Sequence, residues 1–365
     1  MKKILVVFGT RPEAIKMCPV IRELRRRREL ETVVCVTAQH REMLDGVLAA
    51  FGVEPDFDLD IMQRGQTLFD LTEKILRGVD EVIDRVSPHA VLVHGDTTTA
   101  FAASLAAFYK KIPIGHVEAG LRTGNIFSPF PEEFNRKAVG LVARWHFAPT
   151  ARAAENLIRE GNGANCVYVT GNTVVDALKT TVRNEFDHEL LRLAENRRIL
   201  FLTSHRRENI GAPMRGIFRA VRRALENFGD VAVIYPVHKN PAVRELAEGE
   251  LGGRGRIFLC EPLGVVDCHN IMARSFAILT DSGGIQEEAA ALGKPTLVLR
   301  DTTERPEGVE SGVLRLVGTD ECAVYEEIRR LLTDAEYYKN MTGKPNPYGD
   351  GNAAARIADV LVEWE

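Results

Sequence analysis

The sequence predicts an α/β protein of two doubly wound, Rossmann-like domains facing a cleft. Three observations carry this prediction. Short apolar runs alternate with helical patterns along nearly the whole chain, as in parallel sheets covered on both faces. At 365 residues the chain is too long for one ordinary core. The alternation loosens once, over 184–198, where the sequence is charged and lacks apolar periodicity, and then restarts. A domain boundary is therefore expected near residue 185, giving domains over 1–185 and 186–350, with a last segment over 351–365.

In the first half, strands are predicted at Ile4–Phe8, Thr32–Thr37, Ala90–Val93, Ile112–Val117, Trp145–Phe147 and Val167–Val169. Each is a brief apolar run bounded by polar or turn residues. Between them, helices are predicted from Glu13, Arg41, Leu68, Thr97, Pro131, Ala151 and Val174. The longest, Leu68–Val86, places Leu68, Leu71, Ile75, Leu76, Val79, Val82, Ile83 and Val86 on one face. In the second half, strands are predicted at Ile199–Thr203, Val231–Tyr235, Ile257–Leu259, Phe276–Leu279 and Thr296–Leu299. Helices are predicted from Met214, Pro241, Val265, Gly284 and Glu321. A Gly/Pro/Asn loop over 342–351 precedes the last helix, Ala353–Val362.

Composition narrows the function. The chain is 45% hydrophobic and 27% charged, as a globular protein is, and its net charge of −4 argues against nucleic acid as the main partner. The basic run Arg25–Arg28 reads as the solvated last turn of a helix. Six scattered cysteines, with no Cys-x-x-Cys, read as reduced thiols. Met1-Lys-Lys runs straight into Ile4–Phe8, too short an apolar run for a signal peptide. No stretch approaches the roughly 18 apolar residues of a membrane span. A cytoplasmic protein without membrane contact is expected.

Ligands of open parallel sheets bind beyond the carboxyl ends of the strands. Two predicted strands end in acids there, Asp96 and Glu118, and Glu132 follows a Gly/Asn/Pro-rich loop that can return to the same rim. Three converging carboxylates suit proton transfer, hydroxyl recognition or a metal. Each also has a structural reading: Asp96 as a helix N-cap, Glu118 as a buried partner of Arg122, Glu132 as a first-turn acid. His94 and His116 lie inside their strands two residues before the acids, an arrangement that disfavours a metal.

Other turns carry anion-binding character. Gly9-Thr10-Arg11-Pro12-Glu13 leads from the first strand into the first helix, with Lys16 about one turn on. Asp281-Ser282-Gly283-Gly284 holds the corresponding place in the second half. Ser282 can cap the helix there, the glycines admit a pyrophosphate, and Glu288 can accept two ribose hydroxyls. The pattern is neither Gly-x-Gly-x-x-Gly nor a Walker loop, which disfavours NAD and ATP. His205, between Ser204 and Arg206, and His238, before Lys239, end two further strands.

Seven segments occur in order: Gly9–Met17, Gly95–Thr99, His116–Thr123, Pro131–Arg136, His205–Asn209, Asp281–Ala289 and Tyr348–Gly351. As a set they resemble the non-hydrolysing UDP-N-acetylglucosamine 2-epimerases over residues 4 to about 360. The Arg-Pro-Glu-Ala-Ile-Lys run favours that branch over the hydrolysing epimerases. The resemblance implies a GT-B-like fold whose final helix crosses back to the first domain, a homodimer, and interconversion of UDP-GlcNAc and UDP-ManNAc without cofactor or metal. It implies Asp96, Glu118 and Glu132 as the acid/base group, supported by His205. It implies Arg11, Lys16, Arg206, His238, Ser282, Gly283, Gly284, Glu288 and Arg305 as UDP-sugar contacts. Leu263 and Cys268 would lie near the uracil, where many members carry a polar residue and an aromatic. Some bacterial members bind a second UDP-GlcNAc. Gln39, Gln66 and Arg206 match that region, while Gly65 replaces a basic residue there. Alternatives are a hydrolysing epimerase, a GT-B glycosyltransferase and a non-catalytic UDP-sugar-binding protein.

Overall fold

The computed structural model of the chain describes residues 1–37, 41–63 and 65–364, with the side chains of 41–43 left aside. Gln39 lies outside the described residues. The chain divides into two compact units, Met1–Thr180 with Gly349–Glu365, and Thr181–Tyr348.

The first unit runs β1 (Lys2–Phe8), α1 (Arg11–Leu24), β2 (Leu30–Val36), α2 (Arg41–Phe51), β3 (Phe57–Asp58), α3 (Leu68–Val86), β4 (Ala90–His94), α4 (Thr98–Tyr109), β5 (Ile114–Val117), α5 (Glu132–Val142), β6 (Trp145–Ala148), α6 (Ala151–Arg159), β7 (Val167–Val169) and α7 (Thr173–Thr181). Its strands form a parallel sheet in the order β3-β2-β1-β4-β5-β6-β7. The order reverses between β1 and β4, where Leu5 pairs with Val91 and Val6 with Leu92. Such a reversal opens a crevice at the carboxyl ends of the two strands.

The second unit adds α8 (Glu189–Leu193), β8 (Arg198–Thr203), α9 (Ala212–Asn227), β9 (Val231–Pro236), α10 (Pro241–Leu251), β10 (Ile257–Cys260), α11 (Val265–Arg274), β11 (Ala277–Thr280), α12 (Gly283–Ala291), β12 (Thr296–Val298), α13 (Pro306–Glu310), β13 (Leu314–Leu316), α14 (Glu321–Thr333) and α15 (Ala335–Thr342). Its parallel sheet has the order β10-β9-β8-β11-β12-β13, with the reversal between β8 and β11. Side chains of β8 alternate between two apolar layers. Leu200 and Leu202 pack with Ile217, Val221 and Ile328, whereas Ile199 and Phe201 pack with Ile271 and Met272. That alternation is why each strand reads as a continuous apolar run: both faces of the sheet are covered.

The final helix, α16 (Ala353–Glu363), belongs to the first unit and packs on α1. The carboxylate of Asp176, on α7, accepts from the main-chain N–H groups of Ala353 (3.2 Å) and Ala354 (3.0 Å). An acid at a helix N-terminus satisfies otherwise unpaired donors. Farther along, Arg27 pairs with Asp359 at 2.8 Å, and Trp364 meets Trp145 edge to face at 4.7 Å.

Candidate functional site

In the first unit the candidate groups gather around the β1/β4 reversal. Gly9 follows β1 at a point where no side chain fits: a Cβ there would lie 1.9 Å from Thr37 Oγ1 and 2.8 Å from Thr99 Oγ1. The turn that follows is closed. Thr10 and Glu13 form a capping box, and Glu13 Oε2 accepts from the main-chain N–H groups of Gly9 (3.0 Å) and Thr10 (2.7 Å). Glu13 Oε1 accepts from the Thr97 hydroxyl at 2.7 Å. Burial raises the Glu13 pKa, and these bonds, led by that from Thr97, oppose it. Two main-chain donors of this turn, those of Gly9 and Thr10, are thus occupied by the protein's own carboxylate. Arg11 opens α1 beside them.

Lys16, expected as a substrate contact, is buried and donates to Glu118 Oε2 in a buried ion pair. Asn172 Nδ2 donates to the same oxygen at 3.0 Å, and His94 Nε2 stands 3.8 Å from it. Glu118 follows β5 with φ +61°, in the left-handed region that residues with a Cβ rarely enter. Arg122, considered as its partner, instead pairs with Glu160 at 2.6 and 2.8 Å.

Asp96 is not the cap of α4. Thr97 takes that place, its hydroxyl accepting from Ala100 N at 3.0 Å. The Asp96 carboxylate accepts from Arg136 Nη2, and its main-chain oxygen from Asn135 Nδ2 at 2.9 Å. Both partners lie on α5, whose first residue is Glu132. Glu132 and Glu133 divide the roles between them. Glu133 is fully buried and accepts from Thr123 N and Gly124 N, each at 3.2 Å, and from Arg136 at 3.0 Å. Glu132 Oε2 is buried with no hydrogen-bond partner among the described residues.

In the second unit the corresponding hub is Asp281, quoted in a motif above but given no role there. It is fully buried just past β11. Its carboxylate accepts from Ser204 Oγ (2.9 Å), His205 N (2.9 Å), Arg206 N (3.0 Å) and Asn209 Nδ2 (3.0 Å). These bonds shape the loop after β8 and leave the His205 ring stacked on His238 at 5.1 Å, with Nδ1 3.7 Å from Asp281.

Ser282 sits at the N-cap of α12 but makes no side-chain cap bond, contrary to the expectation from sequence. The first turn of α12 is therefore not capped by its own N-cap side chain. Arg305 lies over this turn: a Cβ on Gly283 would meet its guanidinium at 2.6–2.7 Å. Arg305 Nε donates to the buried Glu287 at 2.8 Å. Further along the helix, the carboxylate of Glu288 is 3.5 Å from His269 Nε2, and His269 Nδ1 shares a 2.7 Å hydrogen bond with the Thr181 hydroxyl. Leu263 and Cys268 face inward: Cys268 is buried among Phe201, Ile271 and Met272, with Leu263 packed against that cluster. Near a ligand they would offer main chain rather than side chain.

Sequence reasoning passed over Glu13, Asn172 and His269. Glu13 was legible only as a member of a motif and Asn172 not at all, because their partners are 84 and 54 residues away.

The chain has marked similarity to known proteins. A UDP-N-acetylglucosamine 2-epimerase family profile matches residues 22–362. A Bacillus subtilis protein named UDP-N-acetylglucosamine 2-epimerase is 56% identical, covering 99% of this chain and 95% of its own. The S. aureus MnaA–UDP structure superposes with a TM-score of 0.94 at 50% identity, over 99% of this chain and 96% of that one. The Neisseria meningitidis UDP-GlcNAc 2-epimerase bound to UDP-GlcNAc gives 0.92 at 45% identity, over 99% and 100%. With profile, sequence and fold in agreement over essentially its whole length, the chain belongs to the UDP-N-acetylglucosamine 2-epimerase family.

Proposed function

We propose that the protein is an isomerase that interconverts UDP-GlcNAc and UDP-ManNAc without hydrolysing them. Family membership and the relatives bound to UDP and UDP-GlcNAc support this substrate. The observation that supports the chemistry is a pair of carboxylates near the β1/β4 reversal, Asp96 held by Arg136 and Glu118 held by Lys16 and Asn172; in this reading Glu132, at the start of the helix that supplies Arg136, joins them, while Glu133 and Glu13 are spent on structure.

The C2 proton of the sugar is not next to a carbonyl, so it leaves readily only if a leaving group departs with it. A carboxylate takes the proton, the C2–H electron pair forms a C1=C2 double bond, and the C1–O pair departs with UDP. The intermediate is 2-acetamidoglucal. Re-addition of UDP with a proton delivered to the opposite face gives the epimer. This requires bases that reach both faces, which several acids on one rim supply. It also requires donors where the diphosphate gains charge. In this reading Arg11, His205, Arg206, His238 and the α12 turn of Ser282, Gly283 and Gly284 under Arg305 fill that role. Glu288 accepts from the ribose, and the main chain near Leu263 and Cys268 meets the uracil. No cofactor enters the scheme.

A homodimer is part of the proposal. Phe69, Tyr109 and Leu141, on α3, α4 and α5, are large apolar side chains left exposed, as faces covered by another subunit are. Sedimentation would show a dimer, and a monomer at micromolar concentration would overturn that part.

The decisive experiment incubates the protein with UDP-GlcNAc alone in D2O and follows the sugar by NMR. UDP-ManNAc carrying deuterium at C2 is expected. Retained protium at C2 would exclude the mechanism. Accumulating free ManNAc would mark a hydrolase, a requirement for an acceptor a glycosyltransferase, and no turnover a binding protein.

A further inference from the structure

Glu118 is held more elaborately than the other two carboxylates. Groups from three separate elements converge on one oxygen, Oε2: Lys16 from α1, Asn172 from the loop after β7, and His94 from the end of β4. The Asn172 amide is itself oriented, because its Oδ1 accepts from Val174 N at 3.0 Å, which turns Nδ2 toward Glu118. The backbone of Glu118 adopts an unfavourable φ of +61° to bring the side chain there. His94 is the unusual member. Its ring is buried, yet among the described residues Nε2 has no hydrogen-bond partner, and it lies 3.8 Å from Glu118 Oε2. Buried polar atoms are nearly always paired, so an orphan beside a candidate acid points to a state in which it is used.

We propose that His94 and Asn172 are positioning residues for Glu118, fixing its carboxylate for proton exchange with C2 of the sugar. The inference rests on the epimerase reading and deepens it. An acid that takes and returns a proton alternates between a pure acceptor and a donor. Lys16 and the Asn172 amide nitrogen can only donate, so they suit the ionised form. A neutral imidazole donates or accepts according to tautomer, and so suits both forms. Burial keeps His94 neutral, lowering its pKa to about 4. The nearby Glu118 opposes this, Lys16 reinforces it, and Asp96 opposes it in turn. His94 thus accommodates the protonated Glu118 that Lys16 alone would disfavour.

The test compares His94→Leu, His94→Gln and Asn172→Asp with wild type. Turnover is expressed per UDP-binding site, counted by calorimetric titration with UDP, so that unfolded molecules do not enter. His94→Leu should lower kcat roughly 100-fold, the scale of a misplaced reacting group, with KM within about 3-fold. His94→Gln, whose amide both donates and accepts, should recover kcat to within about 10-fold of wild type. Asn172→Asp keeps the acceptor for Val174 N but sets a second carboxylate against Glu118, and should lose kcat as His94→Leu does. The inference is overturned if His94→Leu keeps wild-type kcat, if His94→Gln is as impaired as His94→Leu, or if the losses fall in KM. Should wild type itself incorporate no deuterium at C2, the epimerase reading falls and takes this inference with it. An active wild type beside an indifferent His94→Leu sinks this inference alone.

Discussion

Asp96 and Asp281 occupy matching places. Each stands just past the strand that pairs with the first strand of its sheet, β4 with β1 and β11 with β8, at the point where strand order reverses. Asp281 is fully buried and accepts from two main-chain N–H groups and two side chains, so its carboxylate is consumed in shaping the loop that carries His205. Asp96 keeps part of its carboxylate exposed and has Arg136 as its side-chain partner. The adjoining helices divide in the reverse sense. In the first unit α1 and α4 are both capped by side chains; in the second, α12 carries no such cap. One fold position thus yields a partly exposed carboxylate in one unit. In the other it yields a buried carboxylate beside a helix whose N-cap side chain makes no bond, and the difference lies in which acids are spent on the backbone.

The comparison is broken most directly by removing each acid in turn. Asp96→Asn should lower turnover by about 10³-fold, within the range for loss of a general acid or base, while the melting temperature stays near wild type. Asp281→Ala should cost about 3 kcal/mol or more of stability, since it leaves buried donors unpaired. Calorimetric melting with steady-state kinetics reads both. If Asp281→Ala melts like wild type, or Asp96→Asn melts far below it, the division of roles is wrong.

Much of this was legible beforehand. The alternation of apolar runs and helical patterns carries both sheets, because parallel strands covered on two faces must be apolar throughout. What escaped was short or long-range. β3 and β13 are sheet-edge strands of two and three residues, too brief to show a period. α8, α13 and α15 are five to eight residues long, too short to show a helical period. At the site, residue types and positions were readable, but partners were not. Lys16 meets Glu118 across 102 residues, and His205 meets Asp281 across 76. Only the fold decides that Lys16 meets the carboxylate of Glu118, or that Glu133 supports the loop at Thr123.

A pH effect separates the units next. His94, His116 and His146 lie on β4, β5 and β6, and burial lowers them to about 4, 3 and 4. A histidine with a depressed native pKa binds its proton first in the unfolded chain. Its contribution is complete above the ordinary value of 6.5 and declines as pH falls toward the native value. At pH 5 each should withdraw up to about 2 kcal/mol. Hydrogen exchange at that pH should show the strands of the first unit opening before those of the second. Equal loss of protection in the two would remove the effect.

Gly283 sharpens the contrast between the helices. A side chain there must displace the Arg305 guanidinium, which its Cβ would approach to 2.6 Å. Gly283→Val should weaken UDP binding by roughly 30-fold, about 2 kcal/mol, through loss of a charge-assisted contact to phosphate. Titration calorimetry measures this directly. Unchanged affinity would mean that the α12 turn does not meet the diphosphate.

The smallest effect isolates the caps themselves. The Thr97 hydroxyl accepts from Ala100 N and donates to Glu13, so it serves its helix and the β1 turn together. Thr97→Ala should therefore cost about 1–2 kcal/mol in chemical denaturation, the scale of a lost N-cap. Ser282 holds the same position on α12 and makes no cap bond, so Ser282→Ala should change stability by less than about 0.5 kcal/mol. UDP affinity should respond in the opposite order, falling several-fold for Ser282→Ala and not for Thr97→Ala. Equal destabilisation by the two substitutions would show that Ser282 caps its helix in solution. The α12 turn would then be closed, as α1 and α4 are, and the asymmetry between the two reversals would disappear.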